Sequence, residues 1–214
     1  MIHCLWAGEP ADDFSRYDLN EPVYSIGPTR IDHVLGVAKA YITRVGAGPF
    51  PTEIRDDRAQ TIQDRGREFG ATTGRPRKCG WFDAVATGYS CRINGIEKVV
   101  LTKPDILDVF DEIPVCTGYR YKGDRLPGFP SEPWILEKVE PEFRTLKGWR
   151  TPVHNLTDPG TLPAAFLDYV RFIEEAIEAR VAIISTGVER RDSLLLEDQL
   201  QGVVDPRAVL AAIA

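Results

Sequence analysis

The chain has 214 residues, a length that suits one large domain or a domain with a small appendage. With 43% hydrophobic and 27% charged residues it has the composition of a soluble globular protein, which excludes disordered, collagenous and disulfide-scaffold classes. Its 26 basic and 32 acidic side chains leave a net charge of −6, which argues against nonspecific binding to nucleic acid or to a membrane surface.

No stretch approaches the roughly 20 apolar residues a membrane helix needs. The amino terminus turns acidic at Glu9 and Asp12–Asp13 without a basic leader, so it does not read as a secretory signal. Cys4, Cys79, Cys91 and Cys116 are widely spaced and form no C-x-x-C pair, so neither a disulfide framework nor a zinc ribbon is expected. A reducing cytoplasm is the expected compartment.

Residues 1–24 form a turn-rich leading segment broken at Gly8-Glu9-Pro10 and Asn20-Glu21-Pro22. From Pro28 onward, Ile31, Val34, Leu35, Ala38 and Tyr41–Ile42 recur at helical spacing and predict a helix over about Thr29 to Val45. The run Gly46-Ala47-Gly48-Pro49-Phe50-Pro51 must end it. Residues 66–80 read as a glycine-punctuated basic loop, and Trp81–Ile93 as a second helix weakened by Gly88. Lys98–Thr102 and Val181–Ile184 are short apolar runs that suit buried strands, and Ile113–Tyr121 reads as a longer strand. Leu126 to Trp149, rich in Pro and Trp, reads as excursions and short strands. Pro163 to about Arg180 is the clearest helix, with Phe166, Val170, Ile173 and Ile177 on one face. A short helix is expected around Pro206–Ile213 in the tail, residues 197–214. Strands alternating with helices indicate an α/β fold.

Three stretches carry candidate chemistry. Between Arg65 and Lys78 lie five basic residues (Arg65, Arg67, Arg75, Arg77, Lys78) and one acid, Glu68. Arginine forks bind carboxylate or phosphate oxygens, and threonine hydroxyls and glycine backbone N–H groups add neutral donors. Ala71-Thr72-Thr73-Gly74-Arg75-Pro76-Arg77 therefore suits an oxyanion-binding loop, although the same charges also suit a solvated basic turn. Lys103-Pro104-Asp105 follows a predicted strand, where α/β sheets bind ligands. A carboxylate there matches the ring N–H and exocyclic amine of guanine, a pairing adenine cannot offer, yet charged strand ends are also commonplace. Ser185-Thr186-Gly187 follows another strand and suits either a ligand edge or an ordinary turn. The three histidines show no metal-ligand spacing, and no G-x-S-x-G, H-E-x-x-H or G-x-x-x-x-G-K-[ST] is present.

Together these segments resemble the adenylosuccinate synthetase family. The resemblance rests on residues 27–32 (GPTRID), 39–53 (KAYITRVGAGPFPTE), 68–81 (EFGATTGRPRKCGW), 102–108 (TKPDILD) and 183–187 (IISTG), in the family's order and spacing, and it extends over residues 25–196. It implies part of a P-loop-type synthetase sheet with flanking helices and a small α+β excursion. It also implies a reaction in which GTP, the co-substrate, phosphorylates the 6-oxygen of IMP and the aspartate amine displaces that phosphate. By similarity, Ala71 to Arg77 closes on aspartate, Arg75 also contacts IMP and Arg77 reaches the GTP phosphates. Lys103, Pro104 and Asp105 would hold guanine, with Ser185, Thr186 and Gly187 closing over it. Pro104 stands where the family usually has leucine. The family's G-D-E-G-K-G-K phosphate loop, its catalytic aspartate and histidine, and its magnesium ligands have no counterpart in this sequence. The resemblance therefore implies a chain inactive by itself, completed by a separate chain carrying that half, within a family that forms homodimers. The alternatives are a non-catalytic guanine-nucleotide and aspartate-binding module, or a truncated gene product.

Overall fold

The computed structural model describes residues 3–6, 33–70, 74–156, 158–189, 192–196 and 200. The tail helix expected around residues 206–213 and the start of the helix expected from Thr29 lie outside them. The rest of that expected helix is corrected: after β1 (His3–Trp6), residues Val34–Lys39 form strand β2 and Ile42–Arg44 form strand β3. Val34, Leu35, Val37 and Ala38 make a continuous apolar run, and such a run satisfies helical spacing without requiring a helix. Gly36 marks the difference. A Cβ there would lie 2.9 Å from Cγ2 of Ile96, so the strand is packed too closely for any side chain at this position.

Helix α1 (Asp57–Gly66) escapes the apolar pattern because Ile62 and the terminal Gly66 are its only buried positions. Local signals hold it instead. The Asp56 side chain accepts from the Arg58 backbone N–H, Asp57 lies in the first turn and Arg65 in the last, each favourable to the helix dipole. Strand β4 (Lys78–Gly80) then pairs antiparallel with β3. Strand β5 (Phe82–Asp83) leads into α2 (Ala84–Ile93), so the helix expected from Trp81 begins three residues later, where the Asp83 carboxylate caps the Ala86 N–H.

Strand β6 (Lys98–Thr102) has the expected bounds. Strand β7 (Glu112–Tyr121) is the spine of an excursion in which it pairs parallel with β5 and antiparallel with β8 (Asp124–Arg125). A four-residue helix α3 (Pro133–Leu136) precedes β9 (Glu140–Lys147), which also pairs antiparallel with β7. Helix α4 (Ala164–Ile177) stops at Glu178, whose φ of 58° turns the chain into β10 (Arg180–Ser185). Strand β11 (Ser193–Leu195) closes the sheet.

The main sheet runs β1-β2-β6-β10-β11, with three parallel central strands between two antiparallel edges. The fold is mixed α/β, as expected. Phe166, Tyr169, Val170, Ile173 and Ile177 of α4 are buried, each contributing roughly 1.5–3 kcal/mol on burial. Trp149 stands edge-on to Phe166, with ring centroids 4.8 Å apart. The Tyr169 hydroxyl donates to the Ala40 carbonyl at 2.7 Å, tying α4 to the bend after β2.

Candidate functional site

Sheet register assembles the site. Thr102 at the end of β6 pairs with Lys39 of β2 on one side and Ser185 of β10 on the other, so three parallel strands end side by side. The segments leaving this edge include Ala40–Arg44, Lys103–Asp105 and Thr186–Gly187. Ligands in open α/β sheets bind outside such carboxyl ends.

A buried carboxylate lies at the centre. Helix α1 ends with Arg67 in the left-handed region at φ 48°, which directs Glu68 inward until its side chain is fully buried. Glu68 Oε1 accepts from Lys39 Nζ at 2.8 Å, Lys103 Nζ at 2.8 Å and the Tyr41 hydroxyl at 2.7 Å. Its Oε2 accepts from Arg77 Nη1 at 3.0 Å. Burial by itself would raise the Glu68 pKa, but these donors outweigh it and hold the value down to about 2, against an ordinary 4.5. Burial lowers the Lys39 pKa, and burial followed by the bond to Glu68 raises that of Tyr41. Three cations on one carboxylate leave two positive charges in excess. Two of the three, Lys39 and Arg77, line a cavity of about 710 Å³ together with Thr43, Arg44 and Thr102 among others. In the sequence, the one signal for Glu68 is its being a single acid among five basic residues.

The Lys103-Pro104-Asp105 turn is held from two sides. Lys103 has φ 60° and ψ 35°, a left-handed conformation uncommon for a residue with a side chain and disfavoured before proline. Its ammonium group binds the Gly66 carbonyl at 2.7 Å as well as Glu68. Pro104 opens a 3-10 turn over Pro104–Ile106, a position where a missing N–H is harmless and a fixed φ is an advantage. Arg65 braces the turn: Nη2 donates to the Asp105 carbonyl at 3.0 Å and to Asp108 Oδ1 at 2.5 Å, and Nε to the Ile106 carbonyl at 3.3 Å. The Asp105 carboxylate is raised in pKa by burial and lies 3.7 Å from His154 Nδ1. Both border a cavity of about 660 Å³ shared with Arg65, Asp108 and Arg150.

The Ser185-Thr186-Gly187 turn meets the same histidine, because His154 Nδ1 is 3.1 Å from the Thr186 carbonyl. Thr186 is buried, and its hydroxyl bonds the carbonyls of Leu156 at 3.0 Å and Asp192 at 3.1 Å. Ser185 Oγ donates to the Gly187 carbonyl at 3.2 Å. A Cβ at Gly187 would sit 2.5 Å from Asp192 Oδ2 and 2.7 Å from Asn155 Oδ1, so a side chain there would displace those two side chains. The chain thus brings Asp105 and Thr186 together around His154.

The basic loop is closed at its neck. Phe69 and Pro76 form a bridge, the Gly70 N–H bonds the Arg75 carbonyl at 2.8 Å and the Arg77 N–H bonds the Glu68 carbonyl at 2.9 Å. Gly74 has φ 61°, and Arg75 is exposed. Ala71, Thr72 and Thr73 lie outside the described residues. The positive charge of this stretch has separate employments: Arg65 on the Asp105 turn, Arg77 on Glu68 and Lys78 on Glu53 at 2.8 Å.

Among the described residues no group of three or more His, Cys, Asp or Glu side chains is placed to hold a metal ion. No helix among them is long and apolar enough to cross a membrane. Known proteins supply the remaining context. A family model for adenylosuccinate synthetase matches residues 22–194. The adenylosuccinate synthetase of Salinibacter ruber is 48% identical over 174 residues, covering 81% of this chain and 39% of that protein. That of Cyanothece sp. is 46% identical over 187 residues, covering 87% of this chain and 41% of its own. The solved structure of fully ligated adenylosuccinate synthetase from Plasmodium falciparum superposes with a TM-score of 0.77 at 34% identity, over 80% of this chain and 42% of that one. The chain therefore spans about two fifths of the length of these relatives. With its strand-end geometry, its motifs and these matches in agreement, the chain belongs to the adenylosuccinate synthetase family.

Proposed function

We propose that this chain is the guanine- and aspartate-recognising portion of an adenylosuccinate synthetase, the purine-synthesis ligase that uses GTP to join aspartate to IMP. The observation that carries this reading is the in-register ending of β2, β6 and β10, which sets the segments after β6 and β10, including Lys103–Asp105 and Thr186–Gly187, on one edge of the sheet. Asp105 accepts the two donors of the guanine edge, a bidentate match worth roughly 1–3 kcal/mol of discrimination against adenine. Ser185, Thr186 and Gly187 close over the base from the neighbouring strand. Because the Lys103 ammonium is engaged by Glu68 and Gly66, its contribution to the base comes from its methylene stem. Arg77 serves the GTP phosphates. Ala71 to Arg77 close on the two carboxylates of aspartate, with Arg75 also reaching IMP.

Phosphoryl transfer depends on positioning and charge stabilisation by the phosphate loop, the metal and surrounding cations. By the resemblance, the Asp and His that the family uses for catalysis, and its magnesium ligands, belong to the phosphate-loop half. On this reading the residues bind without catalysing, and become a synthetase with a phosphate-loop half, in the homodimeric cytoplasmic assembly of the family. The test mixes the purified chain with a separately produced phosphate-loop half, IMP, aspartate, GTP and magnesium, and follows adenylosuccinate formation. The expected result is product from the mixture and none from the chain alone. Turnover by the chain alone, or none from a folded and associated pair, contradicts the reading.

A further inference from the structure

Glu68 invites a question that the guanine and aspartate motifs leave open: why a fully buried carboxylate should hold side chains from both. Its two oxygens serve different segments. Oε1 takes the ammonium of Lys103, two residues before Asp105, and Oε2 takes the guanidinium of Arg77, at the end of the basic loop. Lys103 enters the Asp105 turn in a left-handed conformation before a proline, which persists only if surrounding contacts impose it. The contacts on its ammonium group are Glu68 and the Gly66 carbonyl.

We infer that Glu68 is a positioning residue that sets the direction of Asp105 and of Arg77 at once, so that guanine recognition and the basic loop share one anchor. This rests on the guanine-nucleotide reading above. The inference has a signed consequence. If Glu68 only offset charge, removing it would leave the cations freer and tighten polyphosphate binding. A positioning role predicts weaker binding instead, by a similar factor for guanosine, which has no phosphate.

The experiment uses the full chain as wild type, Glu68→Gln, Glu68→Asp and Asp105→Asn. Each is titrated calorimetrically with GTP, guanosine and ATP, with proton–nitrogen NMR spectra of the free proteins. Glu68→Gln keeps the side-chain shape. Glu68→Asp keeps the charge but is one methylene too short to span both segments, and is read in the same way if the glutamine variant does not fold. The expected result is a loss of about tenfold or more for GTP and guanosine alike. Resonances of residues 103–107 and 74–78 should shift together. Unchanged or tighter binding, or shifts confined to one segment, overturns the inference. A wild-type chain that does not prefer GTP to ATP, or an Asp105→Asn variant that binds normally, refutes the guanine reading instead. The paired resonance shifts then still decide the role of Glu68 in the free protein.

Discussion

Replacing Glu68 by glutamine should destabilise the protein most at neutral pH and progressively less in acid. The folded Glu68 pKa of about 2 lies below its ordinary 4.5. Between those values the unfolded chain binds more protons than the folded one, so stability rises with pH across the window. The contribution is complete above about pH 4.5 and is lost as pH falls through about 2. At about 1.4 kcal/mol per pKa unit, the full contribution is about 3 kcal/mol, of which about 2 kcal/mol is already gone at pH 3. Breaking a buried ion pair independently suggests about 3–5 kcal/mol, a consistent scale. Urea unfolding of wild type and Glu68→Gln between pH 3 and pH 7, compared as a difference at each pH, isolates this residue from other carboxylates. Burial shifts Asp83, Asp105 and Asp108 the opposite way, so their effects cancel only in that difference. A difference that stays constant from pH 3 to pH 7 would refute the reasoning.

Other consequences are local. Arg65→Ala removes the brace under the Asp105 turn and should cost about 1–2 kcal/mol in urea unfolding, with weaker GTP binding as the second readout. Tyr169→Phe removes the buried bond to Ala40 and should cost about 1–2 kcal/mol with the circular dichroism spectrum unchanged. Burial pushes the thiols of Cys79 up to about 11 and Cys116 up to about 12, so neither forms appreciable thiolate at pH 7.5. Peptide mapping after native iodoacetamide treatment should find both unmodified until urea is added.

Legibility from sequence followed the physics of each element. Strand β6 and helix α4 announce themselves because each buries an unmixed apolar run or stripe, and the structure places both within a few residues of expectation. Strand β2 was misread because a central strand apolar on both faces has no alternation to distinguish it from a helix. Helix α1 was invisible to apolar periodicity, being held by capping and charge around Ile62. At the site, motifs point to Asp105, Arg77 and Ser185–Gly187 as candidates, but not to what holds them. Glu68 meets Arg77 only nine positions away, but its bonds to Lys39 and Lys103, the brace from Arg65 and the approach of His154 to Thr186 act across 29 to 43 positions, distances at which side-chain pairing leaves no local pattern.

The most direct measurement is calorimetric titration of the folded chain with GTP and with ATP, repeated on Asp105→Ala. The account predicts that GTP binds in preference to ATP and that the substitution abolishes the preference, through loss of the two bonds to the guanine edge. Equal affinity for the two nucleotides, or a preference that survives in Asp105→Ala, would contradict it.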